Sequence, residues 1–169
     1  SAASDVYKRQ AYGTIEGHGF NIPVLRNDVI ISKRQLLEAR LFGASAVQLD
    51  ADFLSFEEYS ELLDYAHNIG LEVVIAIRNV EQLNYAQTAA DIVAVVNYNL
   101  EDFTADVQNS LQLVAQLPKD KVLLAEGGVR TAEEVRQLKS AGYHGVLLGN
   151  CLMSQADPAA ALQQLRSEL

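Results

Sequence analysis

The chain has 169 residues, and 49% of them are apolar, which is enough for one domain with a sizeable core. Its 13 Lys and Arg against 22 Asp and Glu give a formal charge of −9, which opposes general attraction to nucleic acid or to an anionic membrane surface. The single cysteine, Cys151, excludes an intrachain disulfide and favours the cytoplasm, and no apolar run approaches the roughly 20 residues of a membrane helix. We therefore expect a cytoplasmic protein with no nucleic-acid or membrane partner.

Residues 1–10, SAASDVYKRQ, carry neither helical nor strand periodicity. They look like the translation of an adapter used in DNA library preparation, and we exclude them from fold reasoning. We expect the natural sequence in this chain to begin at Ala11, and we treat residues 11–169 as one partial domain.

From Ile22 onward, short apolar runs rich in Val, Ile and Leu alternate with longer segments of helical periodicity. Runs of this length with near-continuous apolar character are typical of strands that are covered on both faces, as in a parallel sheet. The pattern predicts strands at 22–26, 46–49, 71–77, 91–96, 121–125 and 144–149.

The segments between these runs open and close with helix-capping residues. A capping side chain followed three residues later by an acid or amide predicts four helix starts, at Ser32 with Gln35, Ser55 with Glu58, Asn79 with Gln82, and Thr131 with Glu134. Asp157 before Pro158 predicts a fifth start, and helix C-terminal caps are predicted at Gly43, Gly70 and Gly142.

Six successive βα units indicate a parallel α/β fold, for which two architectures compete. A doubly wound sheet normally carries G-x-G-x-x-G after its first strand, and that motif is missing here. A (βα)₈ barrel binds phosphate after its seventh and eighth strands. We therefore predict a TIM barrel truncated to about six βα units, strands three to eight, with AEGGVR following strand seven and LGNCLM following strand eight.

The glycines in those two loops are the main candidates for a binding site. Glycine lets backbone N–H groups approach an oxyanion without a Cβ in the way, and the N-terminus of the following helix adds partial positive charge. We predict that Gly128, Gly149 and Asn150 bind the phosphate of a small-molecule ligand, and we predict no metal site.

Other polar residues at predicted strand ends leave several interpretations open. Asp28, Asp50 and Asp52 suit acid/base chemistry or metal binding, although for Asp52 a helix cap is the first interpretation. His18, His67 and His144 show neither ligand spacing nor a triad, and we expect His67 near a helix C-terminus. We interpret Cys151 as a buried small residue, not as a nucleophile.

In order and spacing, the strings PVLRNDVII, DIVAVVNYNLEDF, LLAEGGVRTAEEVRQLKSAG and GVLLGNCLMSQADPAAAL resemble indole-3-glycerol phosphate synthase. The resemblance runs from Ile22 to Leu169 and implies a barrel of the ribulose-phosphate-binding type. It also implies ring closure and decarboxylation of 1-(o-carboxyphenylamino)-1-deoxyribulose 5-phosphate in tryptophan biosynthesis, without a metal or organic cofactor. The first-strand Glu and Lys of the family would lie upstream of these residues.

Four positions depart from the family pattern at residues that carry its chemistry. Asn27 stands where LRKDF has the Lys that acts as general acid, and Ala76 stands where VEVHD has a Glu. Val96 replaces the first Asn of INNRNL, and Gly127 replaces the substrate-contacting Ser of SESGI. The acid Glu126 and the phosphate-binding glycines Gly128 and Gly149 are retained, with Asn150 in place of Ser.

Three functions stay open at this point. The first is a genuine or weakened indole-3-glycerol phosphate synthase, and the second is a catalytically silent relative that binds a phosphorylated ligand. The third is another sugar-phosphate isomerase barrel that uses Asp28 and Asp50 as an acid/base pair. Because six of eight units would leave sheet edges unpaired, we also expect copies of the chain to self-associate.

Overall fold

The computed structural model describes residues 22–99 and 104–169. In these residues it has six β-strands, each within a few residues of a predicted run. They are β1 (Leu25–Arg26), β2 (Ala46–Asp50), β3 (Glu72–Ile77), β4 (Ile92–Val96), β5 (Val122–Glu126) and β6 (Gly145–Leu147). The prediction for residues 1–10 lies outside the described residues.

The helices alternate with the strands, as the periodicity predicts. Those of the described residues are α1 (Lys33–Leu41), α2 (Phe56–Asn68), α3 (Leu83–Ala86), α4 (Gln108–Leu113), α5 (Ala132–Ala141), α6 (Asn150–Met153) and α7 (Pro158–Ser167). A 3₁₀ turn at Val80–Gln82 leads into α3, and another at Val114–Gln116 follows α4.

The six strands belong to one sheet and are ordered as they occur in the chain, from β1 to β6. Parallel pairing aligns Leu25 with Ala46 between β1 and β2, and Ile92 with Val122 between β4 and β5. A doubly wound sheet reverses its strand order at a switch point, whereas each strand of a (βα)₈ barrel pairs with the next one. The strand order therefore confirms the barrel class, here with six βα units.

The chain divides into two compact units, up to Val74 and from Ile75 to Leu169, with the boundary inside β3. In the first unit, strand β2 is buried along most of its length, and the core-facing residues include Leu36, Leu49 and Tyr59. In the second unit, Val93 and Ala94 point to opposite faces of β4 and both are fully buried. Such burial on both faces explains why the strands read as continuous apolar runs.

Three predicted helix starts are confirmed by their hydrogen bonds. Ser55 with Glu58, at α2, and Thr131 with Glu134, at α5, form complete capping boxes. Asp157 accepts from two amides of the first turn of α7, each at 3.0 Å. At the other end of α5, Gly142 adopts the left-handed conformation with φ of 115°, as predicted for a helix C-cap.

The other two helical segments also begin at the predicted residues, Ser32 and Asn79, but their capping boxes do not form, because the amide side chains bind elsewhere. Ser32 begins α1 without a side-chain cap bond, and its Oγ instead donates to Oε1 of Gln35 at 3.0 Å. The Nε2 of Gln35 donates to the carbonyl of Val29 at 2.8 Å. Likewise Asn79 makes no cap bond, and Oε1 of Gln82 accepts from the amide of Arg78 at 2.7 Å.

Candidate phosphate site at the strand ends

The loops that follow β4, β5 and β6 leave the sheet at one level. Glu126, the last residue of β5, is aligned with Val96 of β4 and with Leu147 of β6. Since parallel neighbours end at the same edge, the loop after Glu126 and the loop after Leu147 are adjacent. The predicted phosphate-binding residues Gly128, Gly149 and Asn150 thus lie at one edge of the second unit.

Gly127 and Gly128 form what we call the glycine turn. Both have positive φ, +80° and +76°, a region that other residues enter only with strain. A Cβ on Gly128 would lie 3.3 Å from the backbone carbon of Ala105 and 3.3 Å from the nitrogen of Asp106. A Cβ on Gly127 would meet nothing closer than 3.9 Å. The turn needs glycine twice for conformation, and at Gly128 also for packing.

A chain of buried hydrogen bonds holds the glycine turn from behind. Asn97 donates from Nδ2 to the carbonyl of Gly127 at 2.9 Å, and its Oδ1 accepts from the Oγ of Ser110 at 2.7 Å. The hydroxyl of Tyr143 donates to the carbonyl of Ser110 at 2.8 Å. Burial raises the pKa of Tyr143 to about 12, which the bond to Ser110 opposes. The spacing of these residues in the sequence gave no signal of this chain of bonds.

The second loop begins α6 and is open to solvent. Both Gly149 and Asn150 are exposed, and a Cβ on Gly149 would meet no heavy atom within 4 Å. Within residues 22–99 and 104–169, the amides of Gly128, Gly149 and Asn150 donate to no protein acceptor. The two adjacent loops therefore supply three backbone N–H groups from which an oxyanion can accept hydrogen bonds.

The N-terminus of α5 is capped by a carboxylate of the helix itself. The Oε2 of Glu134 accepts from the amide of Arg130 at 2.7 Å and from that of Thr131 at 2.9 Å. The helix thus places its own carboxylate at the end where a bound anion would be stabilised. The contribution expected of this helix stays a prediction, and within the described residues the loop amides are the donors without a protein acceptor.

The side chains at the strand ends of the second unit are mostly apolar. Ala76 is fully buried, and Val96 is 5% exposed. Glu126 is half-buried at the end of β5, and Gly127 carries no side chain. The amide of the neighbouring Asn97 is committed to Gly127 and Ser110 and is 5% exposed. One carboxylate, that of Glu126, therefore remains among the four family positions considered in this unit.

In the first unit, Asn27 is exposed directly after β1. Asp28 forms an ion pair with Arg26 at 3.4 Å, and its Oδ1 accepts from the amide of Val29 at 2.9 Å. Asp50 accepts from the amide of Asp52 at 3.0 Å. These bonds orient both carboxylates locally within their loops.

The first interpretation of Asp52 is wrong, because the cap of α2 is Ser55, three residues further on. Asp52 is exposed, and its amide serves as the donor to Asp50. The carboxylate of Asp50 therefore stabilises the loop before the helix, while a hydroxyl begins the helix itself.

His67, His144 and Cys151 have structural surroundings, whereas His18 lies outside the described residues. As predicted, His67 lies in the last turn of α2. His144 accepts at Nδ1 from the amide of Leu123 at 3.0 Å, a bond between neighbouring strands that the sequence did not reveal. Cys151 is half-buried rather than buried, because α6 is a short helix at the exposed loop.

The residues that the structure describes hold neither a candidate metal cluster nor a helix suited to cross a membrane. Among these residues, no three His, Cys, Asp or Glu side chains are grouped so that they could hold a metal ion. None of the helices in this part of the chain combines the length and the apolar character needed to cross a membrane.

Solved structures resemble the chain in fold at low sequence identity. A mutant tryptophan synthase alpha-subunit from Pyrococcus furiosus matches with a TM-score of 0.71 at 17% identity, over 95% of this chain and 70% of that one. A structure described as native KDPGal matches with a TM-score of 0.65 at 20% identity, over 93% of this chain and 75% of that one. These similarities support the α/β-barrel fold alone.

Sequence comparisons are more specific. An indole-3-glycerol phosphate synthase of Bacteroides thetaiotaomicron is 41% identical over 143 residues, covering 85% of this chain and 55% of the relative. One of Rhodopirellula baltica is 35% identical over 160 residues, covering 94% of this chain and 60% of the relative. The chain thus spans little more than half the length of these relatives. The family model for indole-3-glycerol phosphate synthase matches residues 17–165. The chain belongs to the indole-3-glycerol phosphate synthase family.

Proposed function

We propose that the chain has an indole-3-glycerol phosphate synthase function in tryptophan biosynthesis, in the cytoplasm, and that it binds the substrate by its phosphate. The substrate is 1-(o-carboxyphenylamino)-1-deoxyribulose 5-phosphate. The observation that carries this proposal is the adjacency of two glycine loops whose amides at Gly128, Gly149 and Asn150 have no acceptor in the part of the chain that the structure describes. Family membership over residues 17–165 supports the choice of ligand.

Backbone donors suit this protein because its overall charge is unfavourable for anions. The net charge of −9 repels a phosphate at long range, so that attraction must come from a local site. Amide hydrogens provide such attraction without a basic side chain, provided that the backbone can come close to the ligand. The open space at Gly149 meets that condition.

At several positions where the family carries catalytic side chains, this chain has other residues. The amide of Asn27 cannot act as a general acid, and Ala76 and Val96 carry no ionisable group. Removal of one general acid or base costs about 10² to 10⁴ in rate. We propose that the chain turns over the family substrate more slowly than its relatives by at least that factor, with Glu126 as the remaining acid.

Two measurements test the phosphate site and the activity separately. A titration with inorganic phosphate, monitored by calorimetry, should show binding. The Gly149→Ala variant should bind phosphate more weakly, since the added methyl group takes up the open space at the loop. As a matched control we choose Lys121→Met, which removes one bond to the carbonyl of Ala90 at the opposite end of β5 and should leave binding unchanged. Absence of phosphate binding by the unmodified chain would refute the site.

Ring closure is tested with the carboxyphenylamino substrate at high protein concentration. Product formation above the uncatalysed rate would support the synthase function. If phosphate binds and no indole product forms, the synthase function is replaced by the second candidate, which is a catalytically silent relative that binds a phosphorylated ligand. The apolar, buried Ala76 and Val96 favour this candidate.

The isomerase alternative stays a prediction. Asp28 and Asp50 are each held by local bonds, to Val29 and Asp52 among others, and each substitution to Asn tests one carboxylate. An isomerase activity that both variants retain would rule out the acid/base pair.

Self-association also stays a prediction, and sedimentation of the chain decides it. A monomeric preparation that melts cooperatively would contradict the expectation.

A further inference from the structure

Asn97, the residue directly after β4, is hydrogen-bonded through both its backbone and its side chain at the candidate site. It is 5% exposed. Its backbone N–H donates to the carbonyl of Glu126 at 2.8 Å, and its carbonyl accepts from Asp106 at 3.2 Å. Its side chain binds Gly127 on one side and Ser110 on the other. One residue therefore ties three chain segments together.

These bonds control both residues of the glycine turn. The Nδ2 of Asn97 holds the carbonyl of Gly127 at 2.9 Å, which fixes the peptide between Gly127 and Gly128. The carbonyl of Asn97 holds Asp106, whose nitrogen would lie 3.3 Å from a Cβ on Gly128. The backbone that packs against Gly128 is therefore anchored to the same residue. The orientation of the Gly128 amide follows from these two constraints.

The orientation of the Asn97 amide is itself imposed. Its Oδ1 accepts from the amide of Ser110 at 3.0 Å and from the Oγ of Ser110 at 2.7 Å, so that Nδ2 must face Gly127. The carbonyl of Ser110 in turn accepts from the buried hydroxyl of Tyr143. Every polar group in this path has a partner, as buried networks require.

We propose that Asn97 is a positioning residue for the phosphate-binding glycine turn, and that Ser110 and Tyr143 set its orientation. The inference rests on the proposed phosphate site. It makes the phosphate affinity of that site depend on the hydrogen bonds behind the glycine turn. Asn97 touches no ligand in this role. It acts by holding the Gly128 amide in the direction in which it can donate to an oxyanion.

The central variant is Asn97→Asp, which keeps the shape of the side chain and the acceptor for Ser110. At pH 8 its carboxylate presents an acceptor to the Gly127 carbonyl in place of a donor, and phosphate binding should weaken about tenfold. Burial and the facing carbonyl of Gly127 should raise the pKa of the introduced carboxyl. Once protonated it can donate again, so that affinity relative to the unmodified chain should recover as the pH is lowered from 8 to 5. Lys121→Met, which removes a bond at the other end of β5, should match the unmodified chain at both pH values.

Amide resonances of Gly127 and Gly128, measured by NMR without ligand, provide a readout that is independent of phosphate. They should shift in Asn97→Asp and return toward their original positions at pH 5, whereas loss of general stability would not single out these two residues. If the variant does not fold, Ser110→Ala and Tyr143→Phe take its place, and each should shift the same resonances and weaken phosphate binding. Unchanged resonances, or unchanged affinity in a folded variant, would overturn the proposal. Failure of the unmodified chain to bind phosphate would instead refute the site, while the resonances still decide the positioning role.

Discussion

Replacement of Gly128 by alanine should destabilise the protein more than the same change at Gly127. The two residues are adjacent and have nearly equal backbone angles, φ of +76° and +80°. They differ in what an added Cβ would touch, since at Gly128 three backbone atoms of residues 105–107 lie within 3.4 Å, and at Gly127 the nearest atom is 3.9 Å away. Comparison of the two alanine variants therefore separates the cost of backbone strain from the cost of crowding.

The magnitudes follow from these two terms. A non-glycine residue in the left-handed region costs about 1–2 kcal/mol, which both variants share. Crowding against backbone that cannot rotate away adds roughly 1–3 kcal/mol at Gly128 alone. We expect Gly127→Ala to lower the free energy of unfolding by about 1–2 kcal/mol and Gly128→Ala by about 2–4 kcal/mol.

Urea denaturation followed by circular dichroism measures both values, with the slope of each transition as a check that the same surface unfolds. Equal losses in the two variants would refute the reasoning, because they would mean that residues 105–107 do not pack against Gly128. A larger loss at Gly127 would contradict it as well.

Three further predictions concern the supports of the fold. Thr131→Ala and Ser55→Ala should each lower the free energy of unfolding by about 1 kcal/mol, and Ser32→Ala, which makes no cap bond, by a few tenths in the same urea assay. Because burial raises the pKa of Tyr143 from its ordinary value of 10.0 to about 12, the unfolded chain ionises first, and stability should fall between these pH values. A Tyr143→Phe variant that loses stability as steeply over that range would contradict this. His144→Phe removes the acceptor for a strand amide and should cost about 1–3 kcal/mol, and an unchanged melting temperature would argue against the bond.

Patterns that depend on neighbours in the sequence were predictable, and bonds between distant segments were not. Positive φ at the glycine turn follows from residue type, since adjacent glycines after a strand favour a tight backbone. The capping box at Thr131 follows from spacing because both partners lie on one helical turn. The same spacing gave no capping box at Ser32, because Oε1 of Gln35 accepts instead from the amide of Ile31 and from the Oγ of Ser32. Spacing in the sequence identifies possible hydrogen-bond partners but does not determine which bond forms.

The network behind the glycine turn shows the limit of local reasoning most clearly. Asn97 and Gly127 are 30 residues apart, and Tyr143 and Ser110 are 33 apart. In a barrel, successive βα units bring such residues together, but only the register of the strands decides which side chains meet. The structural role of Asn97 appeared only with Ser110 beside it.

The glycines of the two loops differ in how strongly they support a phosphate function. Gly128 is required by the fold itself, because its left-handed backbone packs against residues 105–107, and selection for folding alone would keep it. In the same way, Ala76 and Val96 satisfy the fold as buried apolar residues whatever their former chemistry. Gly149 has a negative φ of −128° and no heavy atom within 4 Å of the Cβ position, so packing does not demand glycine there. A glycine that packing does not need, in a loop whose amides have no acceptor among the described residues, leaves room for a ligand to approach the backbone, and Gly149→Ala is for that reason the more decisive test of binding.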